Sequence, residues 1–339
     1  MSNKVLTIVV PSYNVERFLD ECIQPYVTPV CDERLEVIIV NDGSTDATEL
    51  LAEKHATAYP NVVRVINKVN GGHGSTINAG LEAATGKYFK VIDGDDYVDN
   101  RELIRFLDLL ERSNEDVITN DKVNFLDGNK PDNNCRLVFG PVAYDEHITM
   151  ENITADWNYT MHRITIRTDL LRGKMPPIDE HCFYVDQELI VYSLALVQTL
   201  RASDTIMYYY RLGNANQSVA PANAFKRRGN LLTVIHSILK FYKNEKSNIT
   251  YEAVTDYIEQ IIAEQINRYA TICLSNVNSS ADDLLGVLDL EKMVKTEMPS
   301  IYKKIPKNKY NSLAKIMPRK IYLAALHSYL RGKAQYFSH

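Results

Sequence analysis

Short apolar runs separated by helical patterns fill the N-terminal half of the chain. Four runs rich in β-branched and aromatic residues predict strands over residues 5–10, 35–40, 62–66 and 88–92. Residues 46–59 and 75–84 have helical spacing, and Ser44 or Thr45 is the expected N-cap of the first helix. Strands without polar alternation, separated by helices, predict an α/β fold with a mostly parallel sheet covered on both faces.

A polar break follows each of the four runs. Ligands bind at the carboxyl ends of parallel strands, so the breaks predict one site built from residues 11–14, 41–46, 71–80 and 93–96. Asp42 offers a carboxylate to a base N–H or a ribose hydroxyl. Gly71, Gly72 and Gly74 allow close approach to the backbone, and the helix after them presents free N–H groups to phosphate. Alone, each break is an ordinary turn or hinge; in this order they favour a nucleotide diphosphate.

Three carboxylates, Asp93, Asp95 and Asp96, follow the fourth run in one turn, where Gly94 lets the backbone bend. Carboxylates this close repel one another unless a cation lies between them. Oxygen ligands at a strand end suit Mg²⁺ or Mn²⁺, which usually accompany a phosphorylated ligand. An acidic surface turn is the alternative for this segment alone. Together with the other three breaks, the turn predicts a metal-dependent site.

The four breaks resemble the motifs of family 2 glycosyltransferases with the GT-A fold. The matching segments are PSYN, NDGSTD, NGGHGSTINAGLEAATGKY and DGDDYVD, which begin at residues 11, 41, 70 and 93. The resemblance is specific over residues 4–100 and weaker to about 218. It implies a Rossmann-like, mostly parallel sheet. It also implies inverting transfer of a sugar from a nucleotide-diphosphate donor, usually UDP-linked, to a hydroxyl of a glycan or lipid-linked acceptor.

The resemblance also assigns the donor and metal residues. Asp42 matches the residue that reads the uridine, and Asp93 and Asp95 match the DxD motif that contacts ribose and Mn²⁺ or Mg²⁺. The residues expected to bind the donor are Pro11, Tyr13, Asn14, Asp42, Gly72, His73, Asn78 and Asp93. One departure matters: many relatives carry an arginine where this chain has Ile77. Neutralisation of the diphosphate charge must then come from the metal, the helix N-terminus, and His73 or Lys68.

Inverting transfer needs a base that accepts the proton of the acceptor hydroxyl. Asp186 resembles the family's catalytic base, since it ends an aromatic run and precedes a helical pattern. An ordinary N-cap is the alternative role of Asp186. The other candidates for the base, in order, are Glu188 and then Asp179 and Glu180.

Further residues are expected to contact the acceptor or substrate. Trp157 is a candidate sugar-stacking platform, with a core or interface position as the alternative. Glu188 is a second candidate. Arg211 and Gln217 are the others, because the segment at 211–218 resembles a loop that begins with an arginine and closes over the site in some relatives.

Composition predicts a soluble, cytoplasmic enzyme. The chain has 339 residues, 45% of them apolar, and five scattered cysteines that suit a reducing compartment. No apolar run approaches the roughly 20 residues of a membrane span, and no signal peptide precedes the first strand. The absence of spans, and of a QxxRW motif, argues against a processive polymer synthase.

The C-terminal third has a different character. We divide the chain into a catalytic, nucleotide-sugar-binding domain at 1–220 and a helical region at 221–339, with helices over 224–242, 251–274 and 281–295. Residues 298–339 carry nine cations and no acidic residue, although the whole chain has a net charge of −5. This basic, tyrosine-rich tail suits peripheral contact with an anionic membrane. A solvated tail or a homodimer contact is the alternative, and the acidic body argues against nucleic acid.

Two rival functions remain at this stage. A sugar-nucleotide pyrophosphorylase would place a glycine-rich phosphate loop after the first strand, where this chain has Pro11–Asn14 in the sequence PSYN. An inactive glycosyltransferase-like scaffold would not need Asp42, Asp93, Asp95 and Asp186 together.

Overall fold

Nine strands form one sheet in the computed structural model, which describes residues 4–31, 33–213, 221–276 and 278–306. The strands are β1 Leu6–Ser12, β2 Leu35–Asn41, β3 Val63–Asn67, β4 Tyr88–Val91, β5 Val117–Leu126, β6 Arg136–Leu137, β7 His147–Thr149, β8 Ile164–Arg167 and β9 Thr199–Leu212. Their order across the sheet is β3-β2-β1-β4-β8-β5-β9-β7, and β6 pairs with β5.

The predicted strands form the parallel half of this sheet. β1 lies between β2 and β4, and β2 also pairs with β3, all in parallel. Pairing of β1 with β4 ends at Val9, so Pro11, which lacks an N–H group, extends β1 without losing a ladder bond on that side. In the other half, β8 runs antiparallel to β4 and β5, while β5 and β9 are parallel. The α/β class and the mostly parallel sheet are confirmed.

Eleven helices surround the sheet in the described ranges. They are α1 Leu19–Ile23, α2 Thr48–Ala58, α3 His73–Ala83, α4 Asn100–Arg112, α5 Thr168–Leu171, α6 Asp186–Leu194, α7 Pro221–Lys226, α8 Arg228–Glu245, α9 Glu252–Leu274, α10 Ala281–Glu297 and α11 Pro299–Lys304. Successive residues of β1 belong to different apolar clusters, with Val9 in one and Ile8 and Val10 in the other. Both faces of the sheet are therefore covered, as side-chain alternation requires.

The predicted N-cap of α2 is wrong. The helix begins at Thr48, two residues later than expected, and Asp46 Oδ1 accepts the Thr48 N–H at 3.0 Å. Ser44 instead accepts the backbone N–H of Asn14 at 3.1 Å. Ser44 therefore joins the loops that follow β1 and β2, and Asp46 supplies the local bond to the start of the helix.

The C-terminal helices share one core with the sheet. A single apolar cluster extends from Val9 in β1 to Ile301 in α11. The helix expected over 224–242 is divided at Arg227 into α7 and α8. No helix among the described residues combines the length and apolar character that crossing a bilayer requires. Residues 307–339, which hold most of the basic tail, lie outside the described residues.

Candidate active site

A cleft of about 710 Å³ opens at the carboxyl ends of β1, β2 and β4. We call it the strand-end cleft. Eight residues predicted for the donor or metal line it, namely Pro11, Tyr13, Asn14, Asp42, Gly72, His73, Asp93 and Asp95. Residues from a later segment and from the C-terminal helices complete it, namely His181, Cys182, Phe183 and Arg227. The four polar breaks thus meet in one place, as the parallel sheet requires.

Asp42 fixes the glycine loop after β3. Its carboxylate accepts the backbone N–H groups of Gly71 and Gly72, each at 2.8 Å, and pairs with Lys68 at 3.0 Å. The side chain is buried. The Ser75 hydroxyl also lies 3.3 Å from Asp42 Oδ1. A carboxylate has about four acceptor positions, so an N–H group of a ligand would replace one of these partners. Lys68, expected to help neutralise a diphosphate, is committed to this pair.

The glycine loop also holds the segment that leads into α6. His181 donates its backbone N–H to the Gly71 carbonyl. A Cβ atom on Gly74 would lie 2.2 Å from the Asp179 carbonyl oxygen, so only glycine allows this approach. His181 and Tyr184 have φ values of 52° and 69°, in the left-handed region. Such backbone strain persists only when the surrounding contacts impose it. These contacts set where α6 begins.

His73 and Asp93 form an ion pair in the cleft. His73 Nε2 lies 2.9 Å from Asp93 Oδ1, and the Tyr208 hydroxyl donates to Asp93 Oδ2 at 3.0 Å. Burial opposes charge on both partners, but each stabilises the charged form of the other. The pKa of His73 is therefore raised and that of Asp93 is lowered to about 2. When protonated, His73 places a positive charge beside the DxD turn.

Asp95 and Asp96 differ in their surroundings. Burial, followed by repulsion from Asp93, raises the pKa of Asp95 to about 6. Burial and the neighbouring carboxylates also raise the pKa of Asp96. Asp96 is almost fully buried and accepts the Arg211 backbone N–H at 2.7 Å. Asp95 therefore faces the cleft as a ligand candidate, whereas Asp96 anchors the turn to β9.

The Asp93 and Asp95 pair fits a divalent cation. Both are oxygen donors at the cleft wall, and their mutual repulsion is the kind that a cation relieves. Within the described ranges, no group of three or more His, Cys, Asp or Glu side chains is arranged to hold a metal. Mg²⁺ is often held by one or two carboxylates plus water and substrate phosphate. The pair therefore suits an ion whose coordination a phosphorylated ligand completes.

Asp186 is the first residue of α6 and lies near the His73 and Asp93 pair. It interacts electrostatically with His73 and Asp93, and Gln187 Nε2 donates to its Oδ2 at 2.9 Å. It does not accept N–H bonds from its own helix as a cap would, since Val185 holds the N-cap position. Burial raises the pKa of Asp186. A raised pKa makes a carboxylate a better proton acceptor.

Glu188, the second candidate for the base, is fully buried. Its Oε2 accepts the Asp179 N–H at 2.8 Å, and its Oε1 has no hydrogen-bond partner among the described residues. Burial raises its pKa from 4.5 to about 8. At neutral pH it therefore holds a proton and lacks the charge of a general base.

Replacement of Glu188 by glutamine is expected to flatten the pH dependence of stability. The folded state retains the Glu188 proton after the unfolded chain has lost it. This contribution to the free energy of unfolding is therefore complete below about pH 4.5 and is lost as the pH rises towards 8. Urea unfolding of the wild type and Glu188→Gln across this window measures the difference. Parallel curves for the two proteins would show that Glu188 is ionised when folded.

Several predicted residues lie elsewhere. Asn78 is held by the backbone of Ile178 through two bonds of 2.9 Å, and Arg211 pairs with Glu21 at 2.6 Å and Asp127 at 3.0 Å. Trp157 is buried against Phe139. None of these lines the strand-end cleft. Ile77 is fully buried in the core, and Gln217 lies outside the described residues.

Arg227 is the main site residue that the sequence did not reveal. It follows α7 and stacks on Phe183, with its guanidinium carbon 3.7 Å from the ring centroid. Both residues line the cleft. Nη1 of Arg227 is buried and has no hydrogen-bond partner among the described residues. Arg227 lies in a run of three cations, and nothing in the sequence marks which of them faces the cleft.

Comparisons with known proteins agree with this geometry. The profile of the family described as Glycosyl transferase family 2 matches residues 7–189. An uncharacterized glycosyltransferase of Bacillus subtilis, EpsJ, is 38% identical over 114 residues, which are 34% of this chain and 33% of EpsJ. The B. subtilis minor teichoic acid biosynthesis protein GgaB is 26% identical over 260 residues, 73% of this chain and 28% of GgaB. The chain thus spans about a third or less of these relatives' length.

A solved structure shares the fold. S. aureus TarS 1-349, in complex with UDP-GlcNAc, superposes with a TM-score of 0.63 and 19% identity, covering 97% of this chain and 92% of that one. The match to the family profile extends over more than half of the chain and contains all four polar breaks and Asp186. The chain belongs to glycosyl transferase family 2.

Proposed function

We propose that the protein is an inverting hexosyltransferase that moves a sugar from a UDP-sugar to a hydroxyl of a glycan or lipid-linked acceptor. Asp186 is the base, and Mn²⁺ or Mg²⁺ binds at Asp93 and Asp95. One observation carries the proposal: the carboxylate pair lines the strand-end cleft, and Asp186 begins the helix anchored to the same glycine loop. A UDP donor is favoured because TarS, with the same fold, binds UDP-GlcNAc.

The reaction is a single displacement. The acceptor oxygen bonds to C1 of the donor sugar as the bond from C1 to the β-phosphate oxygen breaks, and the electron pair of that bond leaves with UDP. The proton of the acceptor hydroxyl goes to Asp186, whose burial increases its basicity. The bound cation supplies positive charge that offsets the negative charge on the diphosphate leaving group.

The chain's own cations would share the neutralisation of the diphosphate. The positive charge of His73 lies at the Asp93 side of the cleft. Arg227 enters from the C-terminal helices with a guanidinium nitrogen that has no partner in the described structure. A guanidinium matches phosphate oxygens in both charge and geometry. In this proposal Arg227 supplies the guanidinium that many relatives carry at the position of Ile77.

Replacement of Arg227 by methionine is expected to weaken UDP binding about 10- to 100-fold, because one or two charge-assisted hydrogen bonds are lost. Binding of uridine, which has no phosphate, should change little. Calorimetry with both ligands separates the two effects, with Lys226→Met as the matched control, since Lys226 is exposed, precedes Arg227 in the chain and does not line the cleft. Equal losses for uridine and UDP would place Arg227 in structural support of the cleft.

We further propose that the protein works in the cytoplasm, with its basic tail against an anionic membrane that carries the acceptor. Seven of the nine cations lie in residues 307–339. The two earlier cations belong to α11, which packs on the helical region: Ile301 is fully buried, and Lys304 pairs with Asp256. A truncation that tests the tail should therefore end after Pro306, because an earlier end would remove α11.

Truncation after Pro306 is expected to weaken binding to anionic vesicles and to leave UDP affinity unchanged. Each cation at the surface contributes about 1 kcal/mol, so loss of even two would reduce binding more than tenfold. Co-sedimentation with anionic and neutral vesicles, at low and high salt, measures the change. If the full chain and the truncated chain sediment equally, the tail has no role in membrane contact.

A further inference from the structure

Gln187, which donates a hydrogen bond to Asp186, lines a second cavity. It has a volume of about 310 Å³ and is bordered by the loop at 155–160, by α6 and by α9. We call it the α6–α9 crevice. Its polar lining consists of Asp156, Asn158, Thr160, Gln187, Gln260, Glu264 and Gln265. Its volume is at the lower end of the about 300–1,000 Å³ typical of small-molecule sites.

Gln187 connects this crevice to the candidate base. Its side chain lines the crevice, and its Nε2 donates to Asp186 Oδ2 at 2.9 Å. Asp186 in turn interacts electrostatically with His73 and Asp93 of the strand-end cleft. Asp186 itself lines neither cavity, so Gln187 is the residue through which the crevice adjoins the candidate base.

Two polar atoms of the crevice have unmet hydrogen-bonding capacity. Thr160 Oγ1 and Gln265 Oε1 are buried and have no partner among the described residues. Gln265 is only 9% exposed, so its amide oxygen loses solvation without a compensating bond. A bound ligand with hydroxyl groups would satisfy both atoms, because a hydroxyl donates one hydrogen bond and accepts others.

The charge of the crevice selects against phosphate. Two exposed carboxylates, Asp156 and Glu264, lie on its border, and its described lining contains no Lys, Arg or His. An anionic ligand would meet repulsion there without a compensating cation. The other polar residues of the lining are amides and Thr160. The apolar part of the wall consists of Ala155, Trp157, Tyr159, Ile190, Tyr257 and Ile261. Amide and carboxylate groups can hydrogen-bond to hydroxyls, and the aromatic rings can contact the apolar face of a sugar. This lining therefore suits an uncharged, hydroxyl-rich molecule.

We propose that the α6–α9 crevice binds a neutral saccharide unit of the acceptor, while the hydroxyl that reacts lies between Asp186 and the strand-end cleft. The proposal rests on the proposed function, since it names the acceptor class of that transfer. It gives Trp157 a role in the wall of an acceptor site, distinct from the donor cleft. It also predicts that phosphate groups of any larger acceptor lie outside the crevice.

Ligand-observed NMR on the 339-residue chain, saturated with UDP in a buffer that contains Mg²⁺ but no Mn²⁺, tests the crevice directly. The probes are lactose, maltose and chitobiose, with glucose 6-phosphate as the anionic comparison. Wild-type protein should bind at least one neutral disaccharide and bind glucose 6-phosphate more weakly. Thr160→Val and Gln260→Leu should each weaken disaccharide binding about fivefold to tenfold. Thr255→Val, also on α9 but outside the crevice, should have no effect.

The outcomes separate this proposal from the proposed function. If no neutral disaccharide binds, or if both crevice variants bind like the wild type, the crevice is not the acceptor site. UDP affinity, measured on the same samples, should be unchanged by Thr160→Val and Gln260→Leu. If UDP does not bind the wild type, the proposed function fails. The crevice would still be established as a sugar site if a disaccharide binds the wild type and binds the crevice variants more weakly.

Discussion

Asp186→Asn is expected to reduce sugar transfer about 10²- to 10⁴-fold, the usual contribution of a general base. Asparagine keeps the shape of the side chain and can still accept the hydrogen bond from Gln187. It cannot take a proton from the acceptor hydroxyl. UDP affinity should remain near the wild-type value, because Asp186 does not line the strand-end cleft. Transfer assays and calorimetry on the same protein measure both quantities.

Glu188→Gln is the matched comparison for this experiment. Glu188 lies two residues along α6 and holds a proton at neutral pH, so its amide analogue should transfer sugar at a rate close to that of the wild type. If Asp186→Asn keeps most of its transfer activity while Glu188→Gln loses it, the base assignment must move to Glu188.

Removal of divalent metal is expected to weaken UDP binding by at least about tenfold, roughly 1.4 kcal/mol. Without the cation, the negative diphosphate meets Asp93 and Asp95 at the cleft wall. Asp95→Asn should remove most of the difference between UDP affinities measured with Mn²⁺ and with chelator. Glu82→Gln, an exposed carboxylate on α3, is the control and should keep the full metal effect. Equal UDP affinity with and without metal in the wild type would refute the DxD assignment.

The parallel half of the sheet and most of the cleft could be predicted from the sequence. Parallel strands bring their carboxyl ends together, so Asp42, His73 and Asp93 had to meet once the strands were recognised. The N-cap of α2 could not be predicted in the same way. Ser44 had two competing partners, and the contact with Asn14 from another loop prevailed over local capping.

Contacts between distant parts of the chain account for the rest. Tyr208 in β9 contacts Asp93, and Arg227 before α8 lines the cleft, because the later strands and the C-terminal helices of the described residues pack against the parallel half of the sheet. β9 contains three consecutive tyrosines, and three consecutive cations lie near α8. The sequence does not distinguish the residues within either group, so only the packing determines which one contacts the site. The buried position of Ile77 likewise follows from the face of α3 that packs on the sheet.

Release of UDP from UDP-sugars is the measurement that tests the central claim most directly. The 339-residue chain with Mn²⁺ or Mg²⁺ should hydrolyse at least one of UDP-glucose, UDP-galactose, UDP-GlcNAc and UDP-GalNAc slowly when water is the only acceptor. Chelator should abolish this release, and an accepted saccharide should accelerate it in the wild type but not in Asp186→Asn. If no UDP is released and calorimetry detects no UDP binding in the presence of metal, the strand-end cleft is not the donor site of a glycosyltransferase.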